Sequence, residues 1–70
     1  MAHLDIEYGD LVTVFRGNNA GRSGVVIDIR YQEGLNSTLM YMMLDEKTNT
    51  TFRSRGFDLK LLTPSYLPQQ

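Results

Sequence analysis

Few side chains in this sequence could do chemistry. It holds one histidine, His3, and no cysteine, which excludes a disulfide, a thiolate metal cage and a Cys–His nucleophile pair. Asp5, Glu7 and Asp10 are close in sequence, but general acid–base catalysis needs a carboxyl group whose pKa is perturbed in a cleft. These three residues precede the first predicted strand, so we interpret them as surface charge. We predict a protein that is not an enzyme, with no cofactor, no metal and no small-molecule substrate.

The cationic side chains are distributed unevenly along the chain. The formal net charge is −1, which argues against a non-specific electrostatic binder of nucleic acid. Residues 9–31 hold three arginines and two aspartates, a net of +1, and residues 50–62 hold two arginines, one lysine and one aspartate, a net of +2. Six of the seven cations therefore lie in two segments that could share a face. Ordinary solvated surface charge is the alternative explanation.

The elements that must position these cations are short β-strands. Runs rich in β-branched, aromatic or apolar residues predict strands at residues 11–15, 25–31, 38–44, 50–54 and 59–62. Residues 17–24 form a glycine-rich loop, residues 56–58 form a turn, and no longer window has the apolar periodicity of a helix. The predicted organisation is an N-terminal segment at 1–8, one domain at 9–63, and an extended or disordered tail at 64–70.

Five strands in so short a chain cannot leave one face of a flat sheet bare, because too little apolar surface would then be buried. The sequence therefore predicts an all-β fold, a small five-stranded SH3-like barrel. Ile29 breaks the alternation that begins at Val26, which predicts a β-bulge near Ile27 and Asp28. The predicted inward-facing residues are Val12, Val14, Val26, Ile29, Met40, Met42, Phe52 and Leu61.

The first hairpin carries the most informative pattern. Residues 9–29 read G-D-x-V-x-V-x-x-G-x-x-x-G-x-x-G-x-V-x-x-I. Glycines in such a unit allow positive φ or close backbone approach, and Val12 and Val14 share one face of a strand. The pattern resembles the KOW motif of NusG-type transcription elongation factors and of several large-subunit ribosomal proteins. Residues 50–62 are similar to the closing strands of those domains, so the resemblance covers about 55 of the 70 residues.

The resemblance implies a function as well as a fold. KOW domains generally dock onto RNA, ribosomal protein or RNA polymerase through loops at one end of the barrel. The first such loop here contains Arg16, Asn18, Asn19, Arg22 and Ser23. Ribosomal members commonly have lysines in this loop, whereas this chain has two asparagines and Ala20, so the partner stays open between protein and RNA. The resemblance thus implies a binding module of a transcription or translation assembly.

A second group of candidate residues lies near the C-terminus. Arg53 and Arg55 alternate along one strand, so both side chains should project from the same face, near Lys60 if the closing strand pairs beside them. Phe57, with Phe15, could stack on bases or fill a protein pocket, and packing at the barrel end is the alternative for both rings. The predicted partner-binding residues are Arg16, Asn18, Asn19, Arg22, Arg53, Arg55, Phe57 and Lys60.

A second hypothesis belongs to another class of protein. The chain could be a structural or assembly subunit, of phage or mobile-element origin, that self-associates into a homo-oligomer to cover exposed sheet edges. The methionine-rich third strand and the Tyr66-Leu67 pair would then supply contacts. The first eight residues have no apolar run and no segment is long and apolar enough to span a membrane, so we expect no signal peptide and a cytoplasmic location.

Overall fold

The computed structural model describes residues 6–34 and 38–64, and within them the fold is all-β, as predicted. Five strands and one short 3₁₀ helix follow each other along the chain. The strand boundaries agree with the predicted ones to within two residues, and the segment predicted as a turn at 56–58 is the 3₁₀ helix. The elements are β1 (Leu11–Val14), β2 (Ser23–Gln32), β3 (Thr38–Asp45), β4 (Thr50–Arg55), the 3₁₀ helix (Gly56–Asp58) and β5 (Leu59–Thr63).

The strands form one antiparallel sheet in the order β4-β3-β2-β1-β5. The sheet curls into a barrel-like globule without closing, so β4 and β5 are its two edges. β5 pairs with β1, where Lys60 lies opposite Thr13. We expected Lys60 near Arg53 and Arg55 only if β5 paired with β4. Because β5 pairs with β1, this condition is not met.

The core lies inside the curl and differs from the predicted one in two strands. Of the predicted residues, Val12, Val14, Val26 and Phe52 are buried and Ile29 is partly buried against them. The prediction was wrong for Met40, Met42 and Leu61. In β3 the neighbouring residues Tyr41 and Met43 take the inward positions, and the core is completed by Ile6 and Leu59.

The face of β3 is set by a bulge in β2. The pairing of β2 with β3 shifts between Val26 and Asp28, so the predicted bulge at Ile27 is confirmed. Beyond it, Ile29 lies opposite Tyr41, and before it Val26 lies opposite Met43. Because directly opposed residues point to the same face of a sheet, the two buried β2 residues bring Tyr41 and Met43 inward.

Gly24 is required by close packing between strands. A Cβ atom at this position would lie 2.7 Å from the carbonyl oxygen of Leu44 in β3. The tight contact lies on the β3 side of β2, opposite the side on which Gly24 pairs with Val12 of β1. A side chain here would force β2 and β3 apart.

The N-terminal segment contributes to the core. Ile6 is 4% exposed, and its carbonyl oxygen accepts a hydrogen bond from the Tyr41 hydroxyl at 3.4 Å. Asp10, which we interpreted as surface charge, is buried at 5% exposure. Its carboxylate accepts a hydrogen bond from the Glu7 amide at 2.9 Å, so the interpretation was wrong because the carboxylate closes a turn.

Candidate binding site

The loop between β1 and β2, residues 15–22, lies along the edge strand β4. Asn19 donates a hydrogen bond through Nδ2 to the carbonyl oxygen of Arg53 at 2.7 Å. Farther along, Arg22 donates through Nη2 to Oγ1 of Thr50 at 3.3 Å. The loop therefore covers part of an edge that would otherwise present unpaired backbone groups, and it brings the two predicted groups of candidate residues together.

The path of this loop follows from its glycines. Gly17 and Gly21 have φ values of +96° and +94°, which other residues rarely adopt, and this confirms the expected need for positive φ. Two tight turns result, with the Ala20 amide bonded to the Gly17 carbonyl at 3.2 Å and the Arg22 amide bonded to the Asn19 carbonyl at 3.1 Å. These turns hold the polar side chains of the loop against β4.

Asp58 joins the loop to the end of β4. Its side chain is 4% exposed. Arg16 donates through Nε to Oδ1 at 2.8 Å, and Arg55 donates through Nε to Oδ2 at 3.1 Å. The hydrogen bond from Arg16, together with that from Arg55, holds the pKa of Asp58 below its ordinary value against the opposing effect of desolvation. One carboxylate thereby fixes two guanidinium groups.

Two exposed aromatic rings alternate with these two arginines. The Arg16 guanidinium lies 5.3 Å from the centre of the Phe15 ring and 5.7 Å from that of Phe57. The Arg55 guanidinium lies 4.7 Å from the centre of the Phe57 ring. Phe15 is 54% exposed and Phe57 is 49% exposed, so both rings are half open to solvent. Packing at the barrel end, the alternative for both rings, accounts for the half that is covered and leaves the other half accessible to a partner. The cation–π contacts fix the orientation of the two guanidinium groups and the two rings, so that a partner can contact them.

Arg22 is held at the other end of β4. Its guanidinium lies 4.2 Å from the centre of the Phe52 ring and forms a 3.6 Å ion pair with Asp45. Arg53 differs from the other arginines, because its guanidinium has no hydrogen bond or ion pair to any described residue. The four arginines at positions 16, 22, 53 and 55 are called the arginine rim below. They are distributed along β4, which is about 17 Å long at about 3.3 Å per residue.

The structure groups seven of the eight predicted binding residues and separates one. Asn18 is exposed in the same loop as Asn19, while Lys60 lies on β5. Sequence reasoning missed Asp45 and Asp58, the two carboxylates that orient the rim. Asp45 pairs with Arg22 and Asp58 pairs with Arg16, and both partners are distant in sequence, so no local pattern marks these contacts; the second partner of Asp58, Arg55, is three residues away. His3 lies outside the described residues.

The arrangement is suited to binding. Within residues 6–34 and 38–64, no group of histidine, cysteine or acidic side chains could hold a metal ion. The same residues contain no helix long and apolar enough to cross a membrane. Planar cations and rings can contact carboxylates, phosphates, peptide groups or bases.

The fold and site define a small all-β, barrel-like domain with an arginine-rich rim. No family model matches the chain, and no curated protein matches it. The resemblance to KOW domains therefore rests on the motif at residues 9–29 and stays a prediction.

Proposed function

We propose that this chain is a non-enzymatic binding module that docks onto a transcription or translation assembly through the arginine rim. The partner is RNA polymerase, a ribosomal protein or RNA, and the module acts in the cytoplasm. One observation carries the proposal: the β1–β2 loop is fixed against β4, so cations and half-exposed rings from distant segments form one surface. The KOW-like motif supports the choice of assembly, because the same loop would make the contact.

Preorganisation supports a docking role for this surface. Flexible arginine side chains lose about 2 kcal/mol of rotamer entropy each when they are immobilised. Arg16, Arg22 and Arg55 are already held by carboxylates in the free protein. Most of the entropy cost of ordering these three side chains is therefore borne on folding and not on binding. This favours specific binding by a partner that contacts them.

Arg53→Glu is the sharpest test of the rim. The guanidinium of Arg53 has no partner among the described residues, so reversing its charge breaks no ion pair and should leave folding intact. Lys60→Glu is the matched control, because it makes the same change of charge on an exposed β5 residue away from the rim. Each variant is used to recover partners from lysate of the native host, with and without nuclease.

The expected result is that Arg53→Glu loses a partner that the parent protein and Lys60→Glu retain. Loss of that partner on nuclease treatment indicates RNA, and retention indicates protein. Equal recovery by both variants would contradict the assignment of the rim. A purified complex then tests the phenyl ring, since Phe57→Ala should weaken binding while the circular dichroism spectrum stays unchanged.

Salt dependence separates two ways in which RNA could bind. The rim holds four arginines and two ion-paired carboxylates, a net charge of +2. If the carboxylate pairs persist, about two phosphates are neutralised and the slope of log Kobs against log salt is roughly −1.4 for a single strand. A slope near −3 would mean that phosphates displace the carboxylates from all four arginines.

The self-association hypothesis has one favouring observation. β5 is an open edge of the sheet, and Leu61 and Leu62 on it are 37% and 49% exposed. A second copy pairing with this edge would cover both side chains. Light scattering tests it: a stable oligomer that dissociates on Leu62→Lys, and that binds no RNA or polymerase, would favour an assembly subunit.

A further inference from the structure

An open groove of about 370 Å³ crosses the outer face of β2, β3 and β4. The buried Phe52 belongs to the inner face, whereas Tyr31 and Tyr41 are among the residues that line the groove. The groove is separate from the rings of the arginine rim, although Arg53 lines it. Its floor contains Met40 and Met42, which we expected inside the barrel and which lie half-buried on the outside.

The bulge in β2 builds the walls of this groove. Without the extra residue, strict alternation from Val26 would turn Asp28 and Arg30 toward the core. The shifted register instead places Asp28 opposite Met42 and Arg30 opposite Met40 on the outer face. On the other side of β3, Arg53 lies opposite Met42. Directly opposed side chains have Cβ atoms about 5 Å apart, so the thioethers lie between polar walls.

The two walls differ in charge. Arg30 forms a 2.8 Å ion pair with Asp28 on its own strand, which leaves that wall neutral. Arg53 on the opposite wall has no side-chain partner among the described residues. The groove therefore has an apolar, polarisable floor and one unneutralised guanidinium at its side.

We propose that this groove binds an extended segment of a protein partner that presents an aromatic side chain next to a carboxylate. Methionine sulfur makes favourable contacts with aromatic rings about 5 Å away, and flexible methionine side chains adapt to the ring that enters. Arg53 can pair with the flanking carboxylate through two parallel hydrogen bonds. The volume is near the lower end of the roughly 300–1,000 Å³ of ligand pockets, which suits one or two side chains.

Charge favours this occupant over a nucleic acid strand. One guanidinium of the groove, that of Arg53, has no carboxylate partner among the described residues, and it suits one carboxylate better than a run of phosphates. Tyr31, which is 61% exposed, also lines the groove and can contact an entering aromatic ring beside the thioethers. The groove shares Arg53 with the rim, but its floor, Met40 and Met42, takes no part in the rim, so variants of the floor test the groove separately.

Methyl NMR on the full chain tests the proposal directly. The protein is labelled with ¹³C at the methionine methyl groups, and Met40→Leu and Met42→Leu assign the two groove signals. The probe is a blocked peptide with one phenylalanine between two glutamates. Matched peptides replace the phenylalanine by alanine or the glutamates by lysines. Met43, which is 0% exposed on the inner face, is the internal control.

The glutamate–phenylalanine peptide should shift the Met40 and Met42 signals in a saturable manner while the Met43 signal stays in place. The alanine and lysine peptides should cause much smaller shifts. Arg53→Gln should weaken the binding about two- to fivefold, the range of an exposed ion pair, and Lys60→Gln should not change it. The proposal is overturned if no groove signal shifts at millimolar peptide, if the lysine peptide binds equally well, or if only a single-stranded RNA shifts the groove signals.

The variants also separate this groove from the rim. Phe57→Ala removes a ring of the rim and should leave peptide binding unchanged, whereas Met42→Glu should abolish peptide binding and retain the ring and both of its arginines. Loss of peptide binding on Phe57→Ala would show that the peptide binds at the rim and would overturn the proposal for the groove.

Discussion

Replacing Asp58 by asparagine tests the contact that orders the arginine rim. The substitution keeps the size of the side chain and removes its charge. In the parent protein the carboxylate binds Arg16 at 2.8 Å and Arg55 at 3.1 Å. The asparagine oxygen can still accept one hydrogen bond, but its amide group donates where a guanidinium also donates. The variant therefore loses two ion pairs and gains a repulsive contact.

The expected loss of stability follows from the surroundings of the pair. The Asp58 side chain is only 4% exposed, whereas those of Arg16 and Arg55 are 57% and 50% exposed. The carboxylate is thus shielded from solvent by the side chains of Arg16 and Arg55 at the protein surface. It does not lie in the deep interior. Exposed ion pairs contribute about 0.2–1 kcal/mol each, and the covered carboxylate belongs near the upper end. We expect a decrease of about 1–2 kcal/mol in the free energy of unfolding, where each 1 kcal/mol lowers Tm by roughly 4–8 °C in a domain of this size.

The pH dependence of this loss identifies its cause. Because its folded-state pKa is lowered below 3.8, Asp58 contributes stability that is fully present above its unfolded-state pKa and is lost as the pH falls through the folded-state pKa. Urea unfolding of the parent and of Asp58→Asn should therefore differ by a constant amount from about pH 5 to pH 8. The difference should shrink below about pH 4, over the range in which both proteins stay folded.

A matched variant provides the control. Asp28→Asn removes a carboxylate that pairs at 2.8 Å with Arg30, whose side chain is 82% exposed, and it should change the midpoint of urea unfolding less than Asp58→Asn does. A difference between the parent and Asp58→Asn that stays the same at low pH would refute the ion-pair reasoning, because it would come from packing. No difference at neutral pH would refute the ordering of the rim by Asp58.

Four further substitutions test the fold that supports the site. Met43→Ala should lower the free energy of unfolding by about 2–5 kcal/mol because it leaves a cavity in the core, whereas Met42→Ala on the outer face should cost about 1 kcal/mol or less in the same urea titration. Gly24→Ala should cost roughly 1–3 kcal/mol by strain, since its Cβ would meet the Leu44 carbonyl at 2.7 Å; thermal unfolding measures it. Asn19→Ala removes the 2.7 Å hydrogen bond to a β4 carbonyl, so amide exchange in the β1–β2 loop should become faster while exchange in β1 stays unchanged.

The sequence predicts the strands well because their ends carry local signals. Glycine-rich turns bound the first two strands, and Pro64 follows the last one. The bulge was also predictable, because Ile29 is out of phase with Val26 and an apolar β-branched residue is seldom left outside. These features depend only on neighbours along the chain.

The face of β3 could not be predicted in the same way. Residues 39–44 are all apolar, so alternation gives no information about which side is buried. The choice is made by β2, where Ile29 lies opposite Tyr41 and brings the aromatic ring inside. An expectation that used β3 alone selected Met40 and Met42, which the structure shows on the outer face.

The candidate site, like the face of β3, could be predicted only in part from residues that are close in sequence. Arg16 and Asn19 were identified from their loop, but the carboxylate that fixes Arg16 lies 42 positions away, in a segment whose sequence indicated only a turn. Lys60 was grouped with the β4 arginines on the assumption that consecutive strands pair. The 3₁₀ helix instead carries the chain across to β1, and only the complete topology reveals that.

The rim also explains how a chain of net charge −1 can present a cationic surface. Three of its four arginines are ion-paired with two carboxylates in the free protein, and each of these three lies over an aromatic ring. What the surface offers is therefore the orientation of planar groups more than its small excess of positive charge. A polyanion that supplies only charge would have to compete with Asp45 and Asp58 for the same guanidinium groups. A partner with flat groups that stack on Phe15 or Phe57 gains contacts that those carboxylates do not satisfy, so shape should select the partner of this module more strongly than charge does.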